Sequence, residues 1–310
     1  MTDPSASVEQ AAAALRRGDL VILPTETVYG LAADAANPLA VARIYEAKGR
    51  PSFNPLIAHV ATLGAAERLA HLGGEARRLA EAFWPGPLTL VAPVRDTSAV
   101  CDLVRAGLDT VAIRVPAHAI ARAVIEAFGG AVAAPSANRS GRPSPTTVQD
   151  AIEETGAASA AALDGGPCRV GVESTVVSVL DGAVRLLRPG GVTREAIEAL
   201  VGPLADPADD ARRSPGRLAL HYAPNAPVRL NVEAPDAGEA YLAFASTAKG
   251  DHVFNLSPSG DLREAAANLF AYLRAADRTR PRAIAVAPIP TFGLGEAIND
   301  RLRRAAGFVG

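Results

Sequence analysis

Two strand-like runs, STVVSVL at 174–180 and AVRLLRP at 183–189, are separated by Asp181-Gly182 alone. A two-residue Asp-Gly spacer between alternating apolar runs is a hairpin signal, so the chain folds back on itself here. At least part of the sheet is therefore antiparallel. Further runs of this kind stand at 20–23, 55–60, 87–94 and 110–116, and helix-like segments separate them. That alternation belongs to an α/β domain, and the hairpin makes its sheet a mixed one. Ser7 with Gln10 reads as a capping box, and Asn37-Pro38 opens a helix that Gly49 closes.

A length of 310 residues suggests about two domains. Between Val201 and Arg213 the chain turns to Pro, Asp, Ala and Arg without apolar periodicity. We expect a first domain over 1–202, a linker over 203–226 that includes SPGRLALHYAP, and a small α/β domain over 227–310. The last carries strand-like runs at 241–246 and 283–288 and helices through 261–277 and 293–307. A net charge of -2 argues against a dominant basic footprint for nucleic acid. Cys101 and Cys168 form no zinc spacing and no disulfide framework. No apolar run approaches the roughly 18 residues that span a membrane, and a cytoplasmic location is expected.

Polar groups gather where strands end. LPTETVYGLAADA, at 23–35, follows an apolar run and precedes a helix-like segment. Pro24 ends the ladder, and the hydroxyls of Thr25, Thr27 and Tyr29 follow at the strand's carboxyl end, where open α/β sheets bind ligands. AKGRPSFNPLIAHV, at 47–60, brings Lys48, Arg50, Asn54 and His59 together, with two cations just beyond a helix end. Arg114 sits mid-strand on the face opposite Val111 and Ile113, either solvated or paired with an anion. APSANRSGRPSPTT, DGGPCRVGVESTVVSV and RPGG add loops of glycine, hydroxyl and arginine. Each of these also fits a plain structural use: threonines cap turns, and a histidine in an apolar strand is more often a satisfied core residue. There is no GxxxxGK[ST], HExxH or GxSxG, so a Walker A loop and the common zinc-protease and serine-hydrolase sites are excluded.

Taken in order, PTETVYGL, KGRPSFNPL, APSANRSGRPSPT, DGG…GVESTVV and LLRPGGVTREAIE resemble the YrdC-like domain of the L-threonylcarbamoyladenylate synthase family, over Val8 to Gly202. SPGRLALHYAP and GLGEAINDRL resemble the linker and second domain of its two-domain form. The resemblance implies a YrdC-like twisted open sheet, mixed parallel and antiparallel, with helices, plus a small Rossmann-like α/β second domain. It implies synthesis of L-threonylcarbamoyl-AMP from L-threonine, bicarbonate or CO2 and ATP, with release of pyrophosphate. Mg2+ would enter on the ATP phosphates, without metal-ligating side chains. The product would pass to a threonylcarbamoyl transferase complex acting on tRNA.

The family's paired K-x-R and S-x-N signature corresponds here to Lys48, Arg50, Ser136 and Asn138, which the resemblance makes catalytic. It assigns L-threonine to Thr27, His59, Arg114, the backbone at Ala134, and Ser174. It assigns the nucleotide to Arg50, Asn54, Thr110, Ser136, Ser144, Arg188 and Tyr222, the last reaching in from the linker. Arg114 would offer a planar fork to the threonine carboxylate, with Tyr29 packed beneath the corner. Arg217 stands where the family's linker commonly has Met, a departure that bears on how this lid packs. Two rival readings differ in class. A hydrogenase-maturation carbamoyltransferase has a similar domain but also cysteine-rich zinc modules and an acylphosphatase-like segment, and this sequence has neither. An RNA-binding module would use Lys48, Arg50, Arg139, Arg142 and Arg169 as a basic concavity and bind RNA weakly, with a steep salt slope.

Overall fold

The computed structural model describes residues 6–51, 53–207, 210, 213 and 221–308. Most of the linker motif, including Arg217, lies outside the described residues. The first sheet is built from β1 (Leu20–Leu23), β2 (Gly30–Asp34), β3 (Ile57–His59), β4 (Leu88–Pro93), β5 (Thr110–Arg114), β6 (Val132–Ala133), β7 (Ser159–Ala162), β8 (Thr175–Leu180) and β9 (Ala183–Arg188). Its nine strands run in the order β7-β1-β2-β6-β3-β5-β4-β8-β9. Three pairs are parallel (β1 with β7, β3 with β5, β4 with β8) and the others antiparallel, which makes the sheet mixed.

At the β8–β9 hairpin, Asp181 and Gly182 both take positive φ, 52° and 74°, the backbone that a tight two-residue connection needs. Helices α1 (Val8–Arg16), α2 (Pro38–Lys48), α3 (Leu63–Leu69), α4 (Gly74–Phe83), α5 (Asp102–Arg105), α6 (Ala119–Phe128), α7 (Val148–Thr155) and α8 (Arg194–Val201) complete this part. The caps read from the sequence form: Ser7 and Gln10 bond reciprocally, and Asn37 accepts from two amides while Gly49 closes α2 at φ 59°.

Alternation along β1 explains its complete burial. Leu20 and Ile22 join a core that includes Ile44 of α2, whereas Val21 and Leu23 join one that includes Leu15 of α1 and Val124 of α6. β2 is not among the strand-like runs read from the sequence: LAAD continues the sheet before α2 opens at Pro38. Alanine favours helices intrinsically, but tertiary context overrides so weak a preference. The small side chains suit a strand covered closely, and a Cβ on Gly30 would lie 3.3 Å from that of Ala134.

Beyond α8, Ala205 bridges Arg185 on the outer strand β9, and Asp210 accepts from Ser178 at 2.7 Å and Arg185 at 3.1 Å. The second sheet consists of β10 (Val228–Arg229), β11 (Ala240–Ala243), β12 (Val253–Asn255) and β13 (Ile284–Val286), all parallel, in the order β10-β13-β11-β12. Helix α9 (Leu262–Arg278) crosses from β12 to β13, and α10 (Leu294–Ala305) follows. No described helix is long and apolar enough to cross a membrane.

The two parts share a core. Val28, Val172 and Tyr222 pack with Leu269 and Phe270 of α9 and Ile298 of α10. Arg274 and Arg278 on α9 pair with Glu154 and Asp150 on α7 at 3.0 and 2.6 Å. A close backbone approach occurs at Gly171, φ 73°, where an added Cβ would meet the backbone of α9 at 2.3 Å (Ala266 O) and 2.4 Å (Ala267 Cα).

That contact predicts the effect of Gly171→Ala. Gly182→Ala has a similar φ of 74° but open space around it, so it isolates the conformational penalty of about 1–2 kcal/mol. Gly171→Ala should lose more than this, by about 1–3 kcal/mol of overpacking, when the two are compared by urea denaturation. Equal losses would mean that α9 does not rest on Gly171.

Candidate active site

The carboxyl ends of β3 and β5 and the amino end of β8 converge, because β4 runs antiparallel to β5 and parallel to β8. The corner between β1 and β2 and the loop after β6 close the space into a cleft of about 500 Å³, counting the volume open to solvent. His221 and Tyr222 line it from the linker. Of the residues expected at a site, Thr27, Arg50, His59, Arg114, Ala134, Ser136, Ser174, Arg188 and Tyr222 all face this cleft.

One group centres on Arg114. Its Nε donates to Gly86 O at 3.2 Å, Nη1 to Thr27 Oγ1 at 2.9 Å and Nη2 to Glu26 Oε1 at 2.5 Å. Arginine has five N–H donors, so two remain. Glu26, the middle residue of the Thr-Glu-Thr corner, escaped the sequence reading as a partner, although a buried mid-strand arginine calls for an anion. Burial alone would raise its carboxyl, but the charge and hydrogen bond of Arg114 hold it below the usual value. His59 bonds through Nδ1 to Ile57 O at 3.1 Å. Burial, then the charge of Arg114, push its ring down to about 3, so it is neutral, and donation from Nδ1 leaves Nε2 as an acceptor. Tyr29 packs beneath the corner, donating to Gly166 O at 2.8 Å.

A second group is cationic. Arg50 donates to Pro55 O at 3.1 Å; burial lowers it only to about 10, so it stays charged at neutral pH. Arg188 donates to Ser174 O at 2.8 Å and to Ser174 Oγ at 3.3 Å. Ser174 is also bonded to Thr89 of β4 at 2.7 Å. Glu173 accepts from Ser144 at 2.6 Å and from Arg301 of α10 at 2.7 Å. Burial would raise Glu173, yet the charges of Arg301 and Arg188 bring it down to about 2. Tyr222 is fully buried at φ 63°, with Phe270 at 5.3 Å and His221 edge-on at 3.9 Å. Arg301, 128 residues from Glu173, lies within the GLGEAINDRL stretch, but nothing in that stretch marks it as the partner of Glu173.

Five expected residues do not line the cleft. Lys48 and Arg50 do not project together: Lys48 is the last helical residue, and Gly49 turns the chain before Arg50. The Lys48 ammonium instead clamps the carbonyls of Ser136, at 2.5 Å, and Asn138. Burial pushes it well below its ordinary value. Asn138 donates to the carbonyls of Arg139 and Arg142, both at 2.9 Å, holding its own loop. Ser144 serves Glu173, and the Asn54 carbonyl accepts from Tyr45 at 3.2 Å. Thr110 starts β5, so it stands four residues, about 13 Å, from Arg114 and accepts from Arg213 of the linker at 3.0 Å. Among the described residues no three His, Cys, Asp or Glu gather to hold a metal.

Residues 13–190 match the model of the Sua5, YciO and YrdC family, described as telomere recombination. Residues 192–307 match the model described as threonylcarbamoyl-AMP synthase, C-terminal domain. The threonylcarbamoyl-AMP synthase of Bacillus subtilis is 42% identical over 97% of this chain and 93% of its own length. That of Pyrococcus abyssi is 43% identical over 96% and 93%. The crystal structure of P. abyssi Sua5 complexed with L-threonine is similar with a TM-score of 0.89 and 42% identity, covering 97% of this chain and 94% of that one. E. coli YciO, at 19% identity and a TM-score of 0.53, shares the fold over 61% of this chain.

The buried histidines predict acid sensitivity. His59 and His221 are both held at about 3 against 6.5 in the unfolded chain. Their contribution is complete above pH 6.5 and is lost progressively as pH falls toward 3. Glu173, at about 2 against 4.5, adds a further loss below pH 4.5. Between pH 7.5 and 5.5 the unfolding free energy should fall by about 3 kcal/mol, since each of the two histidines contributes about 1.4 kcal/mol per pH unit below its unfolded value. Urea denaturation of the parent and of a His59→Gln/His221→Gln variant measures this, and an equal pH slope in both would refute the neutral assignment.

Proposed function

The chain belongs to the threonylcarbamoyl-AMP synthase family, and from that premise we infer that its cleft joins L-threonine, bicarbonate or CO2 and ATP into L-threonylcarbamoyl-AMP, releasing pyrophosphate. The observation that carries this reading is the pairing of two unlike groups in one cleft. Thr27, His59 and Arg114 offer neutral acceptors and two spare N–H donors, suited to the hydroxyl, amine and carboxylate of an amino acid. Arg50 and Arg188, with Tyr222, offer fixed cations and an aromatic face, suited to phosphates and a base.

The neutral threonine amine attacks the carbon of CO2 and loses a proton to solvent, or attacks bicarbonate with its C–OH bond breaking and water leaving, to give a carbamate; a carbamate oxygen then attacks the α-phosphorus as pyrophosphate leaves. Both reactants are anions. The work of the protein is to hold them together and offset their charge, with Mg2+ arriving as part of the MgATP substrate. His59, at about 3, is too weak a base to deprotonate the amine and acts as an acceptor through Nε2. Lys48 and Asn138 support the reaction indirectly by fixing the loop that presents Ser136. Making this adenylate is the first step of threonylcarbamoyladenosine formation on tRNA, and a downstream transferase complex in the cytoplasm consumes it.

Pyrophosphate release with MgATP and bicarbonate tests the reading. Release should depend on L-threonine, fall by about 10- to 200-fold with L-serine, which lacks one methyl group, and fall further with L-valine, which leaves polar groups unpaired. Comparable turnover of valine and threonine would refute the pocket. Arg114→Ala, combined with Glu26→Gln so that no buried carboxylate is orphaned, should lose about 2–4 kcal/mol in kcat/KM for threonine relative to Glu26→Gln alone. A change below about threefold would remove Arg114 from carboxylate binding.

A further inference from the structure

Helix α10 belongs to the second domain, yet its Arg301 has no exposed surface and points into the wall of the first. Nε donates to Glu173 Oε2 at 2.7 Å and Nη1 to Asp300 Oδ2 at 2.6 Å. The guanidinium carbon lies 5.3 Å from the centre of the Tyr222 ring. Tyr222 holds φ at 63°, a region that residues with a bulky side chain seldom occupy, so its surroundings must over-determine it. Those surroundings come largely from the second domain. Phe270 meets the ring at 5.3 Å, and the Arg304 carbonyl accepts from the amide of His221 at 3.4 Å.

Glu173 and Tyr222 line the cleft, and Arg301 does not. We propose that Arg301 is a positioning residue for the nucleotide-facing group: it fixes Tyr222 and Glu173 from behind, so the second domain sets the geometry of a site whose substrate-facing side chains come from the first domain and the linker. This rests on the reading of the cleft as a site for ATP and L-threonine. Stability alone does not call for an arginine here, because a buried ion pair is often matched by apolar residues of similar volume. Arginine does what a lysine does not: its planar fork meets a carboxylate at its edge and an aromatic ring at its face. The Thr27–His59–Arg114 group is held separately, by Glu26, Gly86 and Ile57. Disturbing Arg301 should therefore affect one substrate and spare the other.

The test uses the full chain. Arg301→Lys keeps the charge and loses the fork, while Arg301→Met with Glu173→Gln removes both charges and leaves no orphaned carboxylate. In pyrophosphate release, each should raise KM for ATP by about tenfold or more while KM for L-threonine stays within about twofold. Calorimetry with a non-hydrolysable ATP analogue and Mg2+ should show the same loss of affinity, and thermal melts of Arg301→Lys should match the parent. ATP affinity unchanged within about twofold, or equal losses for ATP and L-threonine, would overturn the proposal. If the parent binds the analogue but releases no pyrophosphate with L-threonine, the functional reading fails, and a tenfold calorimetric loss in Arg301→Lys still upholds the positioning role.

Discussion

The carboxylate of Glu173 is out of water and ionised, and the architecture around it answers that one fact. An isolated buried charge is too costly to keep, so Glu173 takes a hydroxyl from Ser144 and a guanidinium from Arg301. The first comes from the loop after β6 and the second from α10. The second can be in place only when both domains are. Glu26 with Arg114, and Glu154 with Arg139 and Arg274, repeat the arrangement. Apolar burial brings these segments together but is non-directional; charge-assisted bonds with short distances and fixed angles set their relative positions. The cleft inherits its shape from those pairs.

Local chemistry was legible in the sequence wherever a short stretch determines its own conformation. The Asp181-Gly182 turn, the Ser7 and Asn37 caps and the closing Gly49 needed nothing beyond their neighbours. β2 was not legible, because its alanines favour helix and only the surrounding strands make LAAD a strand. Most cleft residues were named through the resemblance of ordered motifs, not through periodicity. The pairings that hold them, Arg114 with Glu26 and Arg301 with Glu173, join positions 88 and 128 residues apart. Such matches depend on the assembled fold, and no spacing rule in the chain encodes them.

The Lys-x-Arg and Ser-x-Asn motifs show how a signature mixes two kinds of residue. Arg50 and Ser136 face the cleft, whereas Lys48 and Asn138 tie down backbone carbonyls behind it. The division follows from Gly49, whose left-handed turn sends successive basic residues in different directions. A motif that reads as a row of cations toward an anion is half scaffold. The spacing in sequence is the same for contact and support.

The strand order leaves β9 at the margin of the nine-stranded sheet, with backbone groups of the kind that recruit a neighbouring chain. The start of the linker lies along that margin: Ala205 bridges Arg185, and Asp210 anchors to Ser178 and Arg185. The same segment later supplies His221 and Tyr222 to the cleft. Its first turns shield a sticky border while its far end furnishes a wall. A first domain severed before Ala205 would therefore lose both together, and would trade a missing enzyme component for a tendency to self-associate.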